Sequence, residues 1–150
     1  MSIRTLPHDP YIEAVTETLT AAGLEPEQVD VRDDETRGVH LYLDAVITLT
    51  PEASGIDPDE WDDGLILVWE WHTGLDEDER GPSWQWAQLN EDGSNWPLQP
   101  MAVYGYASPA AVVTVVRQTL ANPRVDHEPD LGVWEHANDL DTACEDWARE

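Results

Sequence analysis

The chain has 150 residues, which is the length of one domain and enough to bury a substantial core. Hydrophobic residues make up 41% of it, while 32 acidic and 7 basic residues give a formal net charge of −25. The hydrophobic content predicts a folded chain. The charge disfavours direct binding to nucleic acids and to anionic membranes, because both require basic side chains. The preferred partners are basic protein surfaces or cations, unless the charge is an adaptation to high salt.

The single cysteine, Cys144, cannot form an internal disulfide, which is typical of proteins from a reducing cytoplasm. The first residues lack the basic and apolar pattern of a signal peptide, so we expect none, and no apolar run approaches the roughly 20 residues of a membrane span. All basic residues are Arg, and Lys and Phe are absent. This bias indicates a GC-rich genome. We therefore expect a cytoplasmic protein.

The N-terminal part predicts one helix and one hairpin. Asp9 suits an N-cap with Pro10 at the first helical position, and Gly23 suits the helix end. Between them, apolar residues recur at helical spacing: Ile12, Val15, Leu19 and Ala22. Residues 29–32 form a short candidate strand, 33–38 a polar turn, and 39–49 an alternating strand with one buried face.

An acidic loop is expected over residues 51–64, with carboxylates on both sides of Trp61. Such a loop offers oxygen ligands for a cation, but it fails the EF-hand pattern because Trp61 occupies a ligand position. The sequence also lacks a phosphate-binding glycine loop, a nucleophile elbow and a paired-cysteine motif. We therefore predict neither a metal site nor a cofactor.

Four of the eight tryptophans lie at two-residue spacing on one predicted hairpin, which joins residues 65–72 to residues 83–89: Trp69, Trp71, Trp84 and Trp86. Each pair shares one face of its strand. If Trp71 lies opposite Trp84, then Trp69 lies opposite Trp86, and the indoles form a cross-strand ladder. The favoured interpretation is a buried ladder, and the alternative is an exposed aromatic patch.

The opposite face of this hairpin contains Glu70 and His72. A carboxylate beside an imidazole can orient a general base, but no nucleophile or metal partner is evident, although Ser83 lies on the facing strand. We expect a solvated strand face here. The alternative is a small-ligand pocket, in a binding protein or enzyme, lined by the four tryptophans with Glu70 or His72.

The C-terminal half predicts two helices. Residues 96–106 are expected to be irregular, Ser108 to cap a helix that begins at Pro109, and Asn122 and Pro123 to end it. The last helix is predicted over residues 133–147. Its apolar side consists of Trp134, Ala137, Leu140, Cys144 and Trp147. Its acidic side consists of Glu135, Asp139, Asp146 and Glu150.

These elements predict a single α+β domain in the order helix, strands, helix, helix. An antiparallel sheet of about four strands has helices packed on one face, and residues 123–150 form an acidic helical extension. Four segments, WEWHTG (69–74), WQWAQL (84–89), DGSNWPLQP (92–100) and YGYASPAAVVTVVRQTL (104–120), resemble small acidic proteins of actinomycetes, streptomycetes above all. Those proteins belong to families of unknown function, so the resemblance implies a bacterial cytoplasmic setting and no activity. The element order also resembles double-stranded RNA-binding domains, whose function is excluded by the absence of a basic surface.

The acidic surface is the strongest unusual feature of the sequence. Pairs of acids one turn apart on the last helix, about 6 Å by the helix rise, match the scale of charge spacing along a nucleic-acid backbone. We therefore expect a non-enzymatic interaction module that binds a basic protein, as an inhibitor, an immunity or antitoxin-like protein, or a nucleic-acid mimic. The expected contacts are Asp76, Glu77, Asp78 and Glu79 in the hairpin connection, and Glu135, Asp139, Asp146 and Glu150 on the last helix.

Overall fold

The computed structural model describes residues 6–36, 40–72, 81–123 and 128–149. Within these ranges, five strands form one antiparallel sheet in the order β1-β2-β3-β4-β5. The strands are β1 (Gln28–Thr36), β2 (His40–Leu49), β3 (Leu65–His72), β4 (Gly81–Gln88) and β5 (Gln99–Pro100). The helices are α1 (Asp9–Ala21), α2 (Pro51–Ser54), α3 (Pro109–Ala121) and α4 (Ala137–Arg149). The predicted α+β class is confirmed.

The strand count differs from the prediction of about four. The additional strand, β5, is two residues long and lies in the segment that was expected to be irregular. It pairs with β4 through Gln85↔Pro100 and Trp86↔Gln99. Pro100 has no N–H, so it is tolerated at the edge of a sheet but would weaken a longer strand. The prolines of this segment hid the strand from the sequence pattern.

Helix α1 begins differently from the prediction and ends as predicted. Its N-cap is His8, and the Asp9 carboxylate accepts the N–H of Leu6 at 2.9 Å instead of capping the first turn. The predicted Asp9 cap was therefore wrong by one residue. At the other end, Gly23 has φ +84°, and Leu24 N–H donates to Leu19 C=O at 2.8 Å. This is the Schellman arrangement that a C-terminal glycine favours.

The first hairpin extends further than the sequence pattern indicated. Strand β1 continues through residues 33–36, which were predicted as a polar turn, because it pairs with β2 up to Thr36↔His40. Cross-strand pairing overrides the low strand preference of an acidic segment. The predicted loop over 51–64 contains α2, capped by Thr50 Oγ1, which accepts the Ala53 N–H at 3.2 Å.

The second hairpin joins β3 to β4 in a register shifted by two residues from the prediction. Trp69 lies opposite Trp84, whereas Trp71 lies opposite Pro82 and Trp86 opposite Leu67. The predicted pairing was wrong because a long connection does not fix the register as a tight turn does. A shift of two preserves the face of every side chain, so the four indoles still share one face.

Helix α3 was predicted correctly, whereas α4 starts later than expected. Ser108 Oγ accepts the Ala111 N–H at 3.2 Å, and α3 ends at Ala121. Residues 133–136 were predicted to be helical, but Val133 forms an isolated bridge with Ala107, and Trp134 N–H donates to Tyr106 C=O at 2.8 Å. These backbone bonds prevent helix formation before Ala137.

The core combines side chains of β2, β3 and β4 with residues from the helices and from the C-terminal region. Ala137, Leu140 and Cys144 are buried, and Trp134 and Trp147 pack against the core while partly exposed. The apolar side predicted for the last helix is therefore confirmed for Ala137, Leu140, Cys144 and Trp147, whereas Trp134 lies before the helix. None of the helices within the described ranges combines the length and the apolar character needed to span a membrane.

Candidate functional site

Three of the four hairpin tryptophans belong to the buried core. Trp69, Trp71 and Trp84 are each at most 3% exposed. The indole N–H of Trp69 donates to Gly105 C=O at 2.8 Å, and that of Trp84 donates to the Tyr11 hydroxyl at 3.0 Å. A buried indole N–H needs such a partner. These rings therefore stabilise the fold.

Tyr11 connects this group to helix α1. Its ring makes edge contacts with Trp69 and Trp84, at centroid distances of 6.0 and 6.1 Å, and its hydroxyl donates to Ala107 C=O at 2.6 Å. Burial raises the pKa of Tyr11 above its ordinary value, so it remains a neutral donor. The sequence interpretation omitted Tyr11, although it lies four residues before Val15 and therefore on the same helical face.

His8 covers Trp69 from the N-terminal side. The two rings are stacked at 5.3 Å, and His8 Nε2 donates to Asp44 C=O at 2.8 Å. His8 is completely buried. The sequence analysis gave His8 no role, because no periodic pattern includes it. Trp69 and Trp84 therefore pack against α1, and Trp69 also packs against the residue that precedes the helix.

The opposite face of the hairpin carries Glu70, which lies opposite Ser83 on β4 and opposite Asp44 on β2. Asp44 is held in a bidentate ion pair by Arg32, with N–O distances of 3.0 and 2.9 Å. The backbone of His72 belongs to β3, but its side chain lies outside the described structure. Glu70 and Ser83 are therefore neighbours on a polar, partly exposed strand face.

The predicted acidic contacts fall into two groups. Asp146, Glu135 and Asp139 are exposed, the last two by 81% and 89% of their side chains. Glu135 and Asp139 flank His136, at 3.4 and 3.8 Å from its ring nitrogens. Because α4 begins at Ala137, the prediction that Glu135 belongs to the helix was wrong. Glu150 and the acids of the hairpin connection lie outside the described residues: Asp76, Glu77, Asp78 and Glu79.

Helix α4 also contains acids that contact the core. Asp141 Oδ1 accepts the Tyr106 hydroxyl at 2.7 Å. Burial, and then the Asp141 carboxylate, raise the pKa of Tyr106 above its ordinary value. Burial, with smaller contributions from Asp141 and Glu145, raises the pKa of Cys144 to about 12. A buried thiol with so high a pKa is protonated at neutral pH and unsuited to act as a nucleophile.

Exposed carboxylates outside α4 lie on several other elements. They occur on α1, on the 57–63 loop and in the 91–92 turn: Glu13, Glu17, Asp57, Asp59, Glu60, Asp62, Asp63, Glu91 and Asp92. The arginine side chains within the described part of the chain already have partners. Arg32 pairs with Asp44, and Arg117 donates to Ala22 C=O at 2.9 Å. The two arginine side chains that the structure describes are therefore bonded within the chain, while exposed carboxylates occur on several elements.

A groove of about 950 Å³, which we call the Trp86–Trp96 groove, opens beside β5. It is lined by Asp59, Glu60, Trp86, Gln88, Trp96, Pro97, Gln99, Pro100, Met101, Ala102, Val115, Thr119 and Pro123. Trp86 is partly buried and packs edge-on against buried Trp61 at 5.9 Å. Trp96 is 57% exposed. Sequence analysis did not single out Trp96, because it lies in an irregular segment.

A smaller cavity of about 560 Å³ adjoins this groove, with Glu60 and Pro123 lining both. Its lining includes Arg117 and Trp61. Within the ranges that the structure describes, no group of three or more His, Cys, Asp and Glu side chains is arranged to hold a metal ion. No protein-family model matches the chain, and comparisons with curated proteins and with solved structures gave no match.

Proposed function

We propose that this protein is a non-enzymatic interaction module whose acidic surface binds a basic protein partner. The observation that carries the proposal is the imbalance of surface charge: exposed carboxylates occur on many elements, while Arg32 and Arg117 are already bonded within the chain. A surface of this kind attracts basic surfaces over the Debye length, about 8 Å at physiological salt, and repels nucleic acids.

The proposed mechanism is electrostatic steering followed by occlusion of the partner's basic site, as an inhibitor, an immunity or antitoxin-like protein, or a nucleic-acid mimic. The contacts proposed within the described structure are Glu135, Asp139 and Asp146. Glu150 and the acids of the hairpin connection, residues 76–79, extend this proposed surface. The setting proposed for this interaction is the bacterial cytoplasm.

We infer that the fold presents this surface by covering a single face of its sheet with helices. Tyr11 of α1 contacts Trp69 and Trp84, and the indole N–H of Trp61 donates to Leu120 C=O of α3 at 3.1 Å. Helices α1 and α3 also contact each other. In this arrangement the indoles of Trp69 and Trp84 are used within the fold, and carboxylates such as those of Glu135 and Asp139 face solvent.

The experiment is capture of proteins from a bacterial lysate on the immobilised protein, at low and at high salt. Glu135→Gln, Asp139→Asn and Asp146→Asn are combined in one variant. A second variant removes the same charge elsewhere, through Glu13→Gln, Glu17→Gln and Glu25→Gln. A basic protein retained at low salt, released at high salt and lost only with the first variant supports the proposal. Capture that contains no basic protein at either salt concentration contradicts it.

A second candidate function, binding of a small ligand, is favoured by the Trp86–Trp96 groove. Its volume lies within the roughly 300–1,000 Å³ that is common for ligand sites. Of the four hairpin tryptophans in the alternative pocket, Trp86 lines this groove, and the other three are buried. Tryptophan emission measured against a panel of metabolites tests this function, because a ligand stacked on an exposed indole changes its fluorescence.

A further inference from the structure

We propose that the Trp86–Trp96 groove receives an arginine side chain from an extended segment of the basic partner. This inference rests on the proposed function and names the place and the chemistry of recognition. The groove combines an accessible indole, Trp96, with the carboxylate residues Asp59 and Glu60 in one lining. An indole and a carboxylate are the two groups that a guanidinium binds best.

The walls of the groove are fixed by the core on one side and open to solvent on the other. Trp86 is held by its edge contact with Trp61, which is buried. Met101, also buried, continues this apolar wall. Trp96 belongs to segment 91–100, in which every residue is exposed. A guest can therefore slide between a fixed indole wall and an exposed indole without opening the core.

The charge of the groove selects a cation. Every residue of its lining lies in the described part of the chain, and none of them is basic. Arg117 is in the adjoining cavity, where it donates to the Ala22 carbonyl. Asp59 and Glu60 are both exposed, so their carboxylates are free to reorient towards a guest. The amides of Gln88 and Gln99 add neutral hydrogen-bonding groups.

The shape of the sheet edge indicates side-chain capture and not strand addition. β5 is the last strand of the described sheet and is two residues long. Pro100, at its end, has no N–H to donate to an added strand. Pro97 also lies in the groove lining. A partner segment that crosses this edge therefore gains little from its backbone, and its side chain must provide the affinity.

The choice of arginine over lysine follows from geometry. A guanidinium is planar, can stack on an indole, and donates two parallel hydrogen bonds to a carboxylate. An ammonium group of the same charge cannot stack in this way and binds water more strongly. A site built from acid alone would not distinguish the two cations, whereas a site built from indoles and acids prefers arginine.

The test is titration with an acetylated and amidated peptide of alternating Arg and Gly, followed by tryptophan emission and by calorimetry. The matched peptide replaces each Arg with Lys. We expect the Arg peptide to bind more tightly and to change the emission. Trp96→Ala should weaken Arg-peptide binding by about tenfold and reduce the preference over Lys. Tyr104→Ala, which removes another half-exposed aromatic ring outside the groove, should leave the affinity unchanged.

The carboxylates are tested in the same titration. Asp59→Asn with Glu60→Gln should weaken Arg-peptide binding by about tenfold, whereas Glu13→Gln with Glu17→Gln removes the same charge from α1 and should have a smaller effect. Far-ultraviolet circular dichroism confirms that each variant is folded.

Equal affinity for the two peptides, or equal losses in groove and control variants, would overturn this inference. If Arg-peptide binding survives the groove substitutions but is lost in the variant of Glu135, Asp139 and Asp146, the groove assignment fails and the proposed function stands. If the wild-type protein captures no basic protein from lysate, the proposed function itself fails.

Discussion

Trp84 on β4 and Trp96 in the segment that follows β4 differ in what surrounds the indole ring. Trp84 is buried, and its N–H donates to Tyr11, which in turn donates to Ala107. Trp96 lies in a segment that is exposed at every position from 91 to 100. Burying a tryptophan stabilises a fold by removing apolar area from water, whereas leaving one exposed gives up that gain.

This contrast shows that the residue type alone does not determine the role of a tryptophan. The buried rings have partners within the chain, so their contribution is to stability. More than half of the Trp96 surface is exposed to solvent, and Trp96 lines the same groove as Asp59 and Glu60. We therefore expect Trp96 to contribute to binding. Aromatic rings at a surface are characteristic of the centres of protein interfaces. Substitutions can therefore separate the two groups cleanly.

The largest expected effect is the loss of Trp69. Trp69→Ala should lower the free energy of unfolding by about 3–5 kcal/mol, because it leaves a cavity and removes the donor to Gly105 C=O. Trp96→Ala should change it by less than about 0.5 kcal/mol, as expected for an exposed side chain. Denaturation in urea measures both.

Comparable m-values in the two variants would establish that the difference lies in the native state. The distinction between the groups breaks down if Trp96→Ala is as destabilising as Trp69→Ala. In that case Trp96 is a structural residue, and the groove would lose the exposed wall on which arginine binding depends.

The backbone of Gly105 packs closely against Pro82 and provides the acceptor for the Trp69 indole. A Cβ at Gly105 would meet the backbone carbonyl and side chain of Pro82. The absence of a side chain allows the close approach in which the Gly105 carbonyl reaches Trp69. Gly105→Ala should lower the free energy of unfolding by about 2–3 kcal/mol and shift the near-ultraviolet dichroism of the indoles. Gly93→Ala is an unsuitable control because Gly93 has φ +89°; Ala110→Gly, at an exposed site, tests for nonspecific effects of a small substitution.

The hydrogen bond between Tyr106 and Asp141 attaches α4 to the same buried region. Tyr106→Phe removes the hydroxyl that donates to Asp141 at 2.7 Å, and should lower the free energy of unfolding by about 1–2 kcal/mol. Asp141→Asn retains an acceptor and should cost less. Equal stability of Tyr106→Phe and the wild type would mean that this hydrogen bond contributes nothing net to the packing of α4.

The sequence predicted elements best where a periodic pattern met a specific capping residue. Ser108 and Gly23 were placed correctly because their capping chemistry is local. The hairpin register and the start of α4 were wrong because they depend on partners distant in sequence. Trp134 N–H is bonded to Tyr106, and no pattern within residues 133–147 reveals that partner.

The candidate site was less predictable than the fold for the same reason. Trp96 lies more than thirty residues from Asp59 and Glu60 along the chain, and only folding brings all three to one groove. The pattern of alternating residues drew attention to Trp69, Trp71 and Trp84, since periodicity detects a buried face. An exposed tryptophan in a proline-containing segment has no period, so its neighbours must come from the structure.

The smallest expected effect concerns Cys144 at alkaline pH. Its pKa is raised by burial from 9.0 to about 12 in the folded protein, so above pH 9 the unfolded chain loses the thiol proton first. The folded state then binds more protons than the unfolded state, and the free energy of unfolding decreases as pH rises. This loss amounts to about 1 kcal/mol by about pH 10.

Cys144→Ala should remove this part of the pH dependence. The pKa values of Tyr11 and Tyr106 are also raised by burial, and the contributions of these two residues to the slope remain at higher pH. Urea denaturation of both proteins between pH 7 and about pH 10 provides the measurement. Identical slopes would show that the thiol is accessible to water, and would contradict the division between a sealed core and an open groove.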